Sequence, residues 1–147
     1  MSASGIVTRA SEVLLVRHTY GPAKGKLLIP GGIVESGEMP EQTIQREVFE
    51  ETQVRAIAEG LLAFRFRLEN WWTIFALRYV SGTPTPDSRE TDLAFFLAIQ
   101  DAIDHPEVTD SSWFLLEKYV SMGEKSLQRC DFKPALHSDE QWIMYSP

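Results

Sequence analysis

A chain of 147 residues, 44% apolar and 24% charged, suits one compact domain (1–147) and is not composed like a disordered segment. Its formal net charge of −7 argues against a groove that tracks a nucleic-acid backbone, though not against a small phosphorylated ligand bridged by divalent cations. The single cysteine, Cys130, rules out an internal disulfide and a cysteine-rich zinc site, and the longest apolar run, Leu93–Ile99, is far short of the roughly 20 residues of a membrane helix.

The first residues lack the basic start and apolar stretch of a signal peptide, so the expected location is cytoplasmic, with no membrane partner. Ile6–Thr19, with its apolar group Val13–Val16, reads as a strand. Tyr20–Lys26 carries two glycines and a proline and reads as a loop. Leu27–Ile29 is a short apolar run ending at Pro30, and Gly31 and Gly32 then break regular structure. Pro40–Thr52 reads as a helix. Pro40 suits a first helical position, and Ile44 and Val48 fall on one face, but Met39 has no side-chain oxygen with which to cap.

Ile57–Arg67 and Trp71–Val80 read as strands around a turn at Glu69-Asn70. Ser81–Ser88 is a loop, and Leu93–Ile99 a further strand. Ser111–Met122 carries Trp113, Leu116 and Val120 at helical spacing and reads as a second helix. Asp104–Asp110 and Phe132–Asp139 read as loops. Strands interleaved with a few helices point to a layered α/β domain.

The chemistry concentrates in Gly31–Val54. Glu47, Glu50 and Glu51 occupy relative positions 0, 3 and 4 of the helix, so their carboxylates converge on one patch. Glu38 lies just before the helix. Like charges so placed repel, and folding alone gives little reason to gather them. A hard divalent cation such as Mg²⁺ removes the repulsion and prefers oxygen ligands. Arg46, four residues before Glu50, offsets part of the charge. The competing reading is a solvated acidic helix face. The one-sided clustering and the glycine corner upstream, where a backbone can approach a ligand closely, weigh against it.

The segment resembles the Nudix box, G-x5-E-x7-R-E-U-x-E-E-x-G-U, where U is a bulky apolar residue. Gly32, Glu38, Arg46, Glu47, Val48, Glu50, Glu51 and Val54 match. Gln53 stands where the family has glycine. A glycine near a helix end often serves a left-handed backbone, where Gln would cost roughly 1–2 kcal/mol unless the helix ends differently.

The resemblance implies a mixed β-sheet sandwiched by helices and a Mg²⁺-dependent hydrolase of diphosphate linkages, with Mn²⁺ as a substitute. Carried over residue by residue, the metal ligands are Glu47, Glu50, Glu51 and the Gly31 carbonyl. Glu50, Glu51 and Arg46 form the catalytic set, and Gly32, Glu38 and Arg46 support loop and helix. Glu50, Glu51, Glu90 and Asp92 are open candidates for the general base.

Substrate contacts are sought among Arg17, Lys26, Trp71, Trp72, Phe75 and Glu90, with packing or solvated charge as the competing role for each. At least one of Trp71 and Trp72 belongs to the core, because neighbouring strand residues face opposite sides. His18, His105, His137 and Cys130 are given no role. The expected partner is a small nucleotide (a non-standard triphosphate, ADP-ribose or another nucleotide sugar, or a dinucleoside polyphosphate) rather than a nucleic acid. A homodimer is admissible. The rival reading is a nucleotide-binding regulatory module of the same fold that has lost catalysis.

Overall fold

The computed structural model describes residues 1–123, 125–130 and 143–147. Its elements, in chain order, are β1 (Ser2–Arg9), β2 (Glu12–His18), β3 (Leu27–Leu28), β4 (Gly31–Ile33), α1 (Pro40–Thr52), β5 (Arg55–Arg67), β6 (Asn70–Ser81), β7 (Thr91–Ala98), α2 (Ile99–Ile103), α3 (Asp110–Met122), β8 (Gln128–Cys130) and β9 (Met144–Ser146). Among the described residues no helix is long and apolar enough to cross a membrane. Phe132–Asp139 and His137 lie outside the described residues.

Seven strands form one mixed sheet. β1 lies parallel to β6, and the other pairings are antiparallel. β1 pairs with β2 only near their shared turn, at Thr8↔Val13 and Arg9↔Glu12. Further along the same edge β4 takes over, pairing Ser2–Ser4 with Gly31–Ile33. Gly31 and Gly32 therefore continue regular structure instead of breaking it, because β1 offers them an open edge to pair with.

Strand alternation divides the core between the two faces. Ala3, Val7, Leu14, Phe75 and Leu77 pack with Ile44 and Val48 of α1. Ile6, Val13, Leu15 and Ile74 pack with Ala102 of α2 and Leu115 and Leu116 of α3. A sheet covered by helices on both faces is the α/β architecture expected.

Four further local expectations need correction. Ile6–Thr19 is two strands, because the chain reverses at Ala10, whose φ is 53°. The β5–β6 turn falls on Leu68-Glu69, with Glu69 in the left-handed region at φ 60°. Ile99 opens the short helix α2 instead of closing a strand. On α3 the inward residues are Ser112, Leu115 and Leu116, whereas Trp113 and Val120 are 44% and 54% exposed. That segment is apolar on several sides, so spacing alone does not select its inner face. Thr109 caps α3 by accepting from the Ser112 N–H. α1 has no side-chain cap at Met39; instead the Met39 N–H donates to Gln42 Oε1 at 2.9 Å.

Candidate active site

The last two turns of α1 lie beside the glycine corner. A Cβ on Gly32 would run into the Glu47 carboxyl, so a side chain there would displace that carboxyl from the corner. Arg46 binds Glu38 in a fork, with Nε to Oε1 at 2.7 Å and Nη2 to Oε2 at 3.0 Å. Its Nη1 donates to Glu47 Oε1 and Glu50 Oε2, both at 2.9 Å, and Nη2 reaches the Ile33 carbonyl at 3.3 Å. One guanidinium therefore joins the loop before α1 to two of its carboxylates.

Glu51 is only 3% exposed. Its Oε2 accepts from the Gly31 N–H at 3.1 Å, and its Oε1 lies 3.2 Å from His18 Nε2. His18 reaches it because it shares strand parity with Leu14, on the α1 face of β2. Nothing local in the sequence marks this pairing of residues 33 positions apart.

The carboxyls respond differently to these surroundings. Burial pushes Glu51 above the usual carboxylate range, and the contacts with His18 and the Gly31 N–H offset only part of it. Burial also raises Glu47 against the pull of Arg46, helped by Glu51 and Glu50. Glu38, in the Arg46 fork and accepting from the Thr43 hydroxyl, is held down to about 2.

A cleft of about 410 Å³ opens over this patch. Glu35, Arg46, Glu47, Glu50 and Glu51 line one side, and Tyr20, Asp87 and Glu90 also line it. Asp87 accepts from the Arg89, Glu90 and Thr91 N–H groups, which shapes its loop. The Tyr20 hydroxyl donates to Glu90 Oε2 at 3.3 Å. Burial and the neighbouring Glu90 raise the Tyr20 pKa and keep that hydroxyl protonated.

The other residues singled out from the sequence stand elsewhere. Arg17 is in a two-point ion pair with Asp92, at 2.7 and 3.1 Å, and neither lines the cleft. Trp72 packs against the α3-side cluster, with Arg65 over its ring at 5.0 Å. Trp71 is 54% exposed on the opposite side, edge-on to Phe66, while Phe75 is core. Lys26 is exposed in its loop.

The end of α1 carries the departure from the box. Gln53 is left-handed, with φ 58° and ψ 11°, and both its backbone N–H and its Nε2 donate to the Phe49 carbonyl. The left-handed turn is retained, with a side chain where the box has none. The chain after β6 is laid against this turn. A Cβ on Gly82 (φ 100°) would collide with the Gln53 carbonyl oxygen. The Thr85 N–H donates to the Thr52 carbonyl at 2.8 Å, and the Thr91 hydroxyl to the Glu51 carbonyl at 3.0 Å.

Among the described residues no three His, Cys, Asp or Glu side chains are grouped to hold a metal ion as they stand. Arg46 sits against Glu47 and Glu50, and Glu51 is turned to His18 and Gly31. The donor set itself suits a hard cation, being all carboxylate and carbonyl oxygen, and burial leaves two of its acids short of compensating positive charge.

A family model described as NUDIX domain matches residues 1–128. The chain belongs to the Nudix family. A Nudix relative from Erwinia tasmaniensis, named NAD-capped RNA hydrolase NudC, is 31% identical over 111 residues, covering 74% of this chain and 35% of that protein. The ADP-ribose pyrophosphatase of Methanocaldococcus jannaschii is 36% identical over 62 residues, or 42% of this chain and 37% of that protein. The chain thus spans about a third of the length of these relatives. A Nudix hydrolase structure from Nitrosomonas europaea superposes with a TM-score of 0.73 at 21% identity, over 82% of this chain and 69% of that one, which shows a shared fold.

Proposed function

We propose that this Nudix chain hydrolyses the diphosphate linkage of a nucleotide-like substrate with the help of divalent cations. One observation carries the reading. Among the described residues, six acids, Glu35, Glu47, Glu50, Glu51, Asp87 and Glu90, line the cleft with a single cationic side chain, Arg46. Such a surface repels a bare diphosphate and accepts it only with metal ions between. The relatives' names, which include a pyrophosphatase and a cap hydrolase, support the same class of bond.

In this reading Glu47, Glu50, Glu51 and the Gly31 carbonyl hold the ion, Mg²⁺ first and Mn²⁺ as a substitute. A bound divalent cation supplies charge neutralisation of the diphosphate and a more acidic water. Glu38 holds Arg46 in its fork, and Arg46 presents Glu47 and Glu50 toward the corner until a cation competes for them. The Gly31 N–H and His18 keep the Glu51 carboxylate aimed. Among the candidate proton acceptors, the Glu50 side chain is 57% exposed against 3% for Glu51, with its Oε2 held by Arg46. Glu90 already accepts from Tyr20, and Asp92 is occupied by Arg17.

A capped RNA end is a second reading, favoured by the NudC relatives and opposed by the acidity of the cleft. A panel of ADP-ribose, NAD, a nucleotide sugar, a non-standard nucleoside triphosphate, a dinucleoside polyphosphate and NAD-capped RNA tests both. Cleavage of at least one at its diphosphate is expected with Mg²⁺. EDTA should abolish it, and added Mg²⁺ or Mn²⁺ should restore it. No cleavage across the panel, or full turnover in EDTA, refutes the proposal.

A further inference from the structure

We infer that Tyr20 is the stacking face on which the planar base of the nucleotide substrate rests, an assignment that builds on the hydrolase reading above. Among the described residues, Tyr20 is the one aromatic that lines the cleft. It is 52% exposed. One ring face is covered by His18, with centroids 5.2 Å apart and planes within 13°. The hydroxyl is tied to Glu90. The flanking backbone is tied as well. The Thr19 N–H donates to the Glu90 carbonyl at 2.9 Å, and the Gly25 N–H to the His18 carbonyl at 2.8 Å.

A ring fixed by its edge and one face, with the rest open to a cleft, is pre-organised for a second planar group. Binding there immobilises no further side chain, so little of the stacking gain is lost to ordering. Stacking tolerates any base, because every base has a π-face. His18 thereby serves both halves of the site: its Nε2 faces Glu51, and its ring backs Tyr20. Phe66 and Trp71, also exposed, stand on the β5–β6 hairpin and do not line the cleft.

Calorimetric titration of AMP, UMP and ribose 5-phosphate with Mg²⁺ into wild type, Tyr20→Ala and Tyr20→Phe tests the assignment. Wild type should bind both nucleotides about tenfold or more tighter than ribose 5-phosphate. Tyr20→Ala should erase that preference while ribose 5-phosphate binding stays the same, and Tyr20→Phe should keep it. A wild type without preference, a preference that survives Tyr20→Ala, or its loss in Tyr20→Phe overturns the stacking role. An ADP-ribose hydrolysis assay on the same samples separates the two readings. Cleavage without base preference removes Tyr20 and leaves the hydrolase. A Tyr20-dependent preference without cleavage of any diphosphate in the panel removes the hydrolase and leaves the stacking face.

Discussion

α1 and α3 are both 13 residues long and cover opposite faces of one sheet, yet they bury different things. α3 buries Leu115, Leu116 and Ser112, whose hydroxyl accepts from the Ile29 N–H at 3.1 Å. Among the described residues, no charged side chain of α3 is buried there. α1 buries Ile44 and Val48 in the same manner, then adds Glu51 at its inner end. Burying a carboxylate is unfavourable unless partners replace the lost water, and the raised pKa of Glu51 records that the replacement is incomplete. One helix buries only neutral groups, while the other gives up stability to bury an acid beside the cleft.

The sharpest way to break this contrast is Glu51→Gln. The amide is nearly isosteric, can still accept from the Gly31 N–H and carries no charge, so thermal stability should hold or rise. Turnover on the best substrate of the panel should fall by orders of magnitude. Undiminished turnover would make the buried acid merely structural. Leu116→Ala is the converse. Urea titration should show a loss of about 2–5 kcal/mol, and the activity of the folded fraction should be unchanged. A fall in that specific activity would show that the two faces are not separable.

Smaller effects test α1 from within. The folded protein keeps Glu38 ionised down to about pH 2, against 4.5 for an unperturbed carboxyl. Its contribution to stability is therefore complete above pH 4.5 and disappears as pH falls toward 2. Glu38→Gln should flatten that acid limb of the melting profile, and an unaltered limb would place the acid sensitivity elsewhere. Gln53→Gly should stabilise by about 1 kcal/mol by relieving the left-handed backbone. A loss in denaturant midpoint would mean that the Nε2 bond to Phe49 outweighs the strain.

What could be read in advance was what is local. The helix Pro40–Thr52 and its acid spacing depend on residues within about a turn of one another, whereas the strand at Gly31 and Gly32 depends on pairing with Ser2–Ser4. The family follows from the same stretch. The turn at Ala10 was hidden because no glycine or proline marks it. The inner face of α3 was hidden because Trp113, Phe114, Leu115, Leu116, Tyr119 and Val120 offer apolar groups on several sides. His18 and Tyr20 escaped for a different reason. Their place beside Glu51 and Glu90 depends on the register of β2 against β7 and on how α1 crosses the sheet. Arg17, one residue away, faces Asp92 instead, a difference that strand parity sets and composition cannot reveal.

The contact between Gly82 and the Gln53 carbonyl ties two distant parts of the cleft mechanically. The segment from Gly82 to Thr91 rests on the final turn of α1 like a strut, and it carries the loop that presents Glu90 to Tyr20. A bulkier residue at position 82 would shift the wall that carries Glu90 without touching any acid of the helix. The shape of the cleft can therefore change through a position that does not line it.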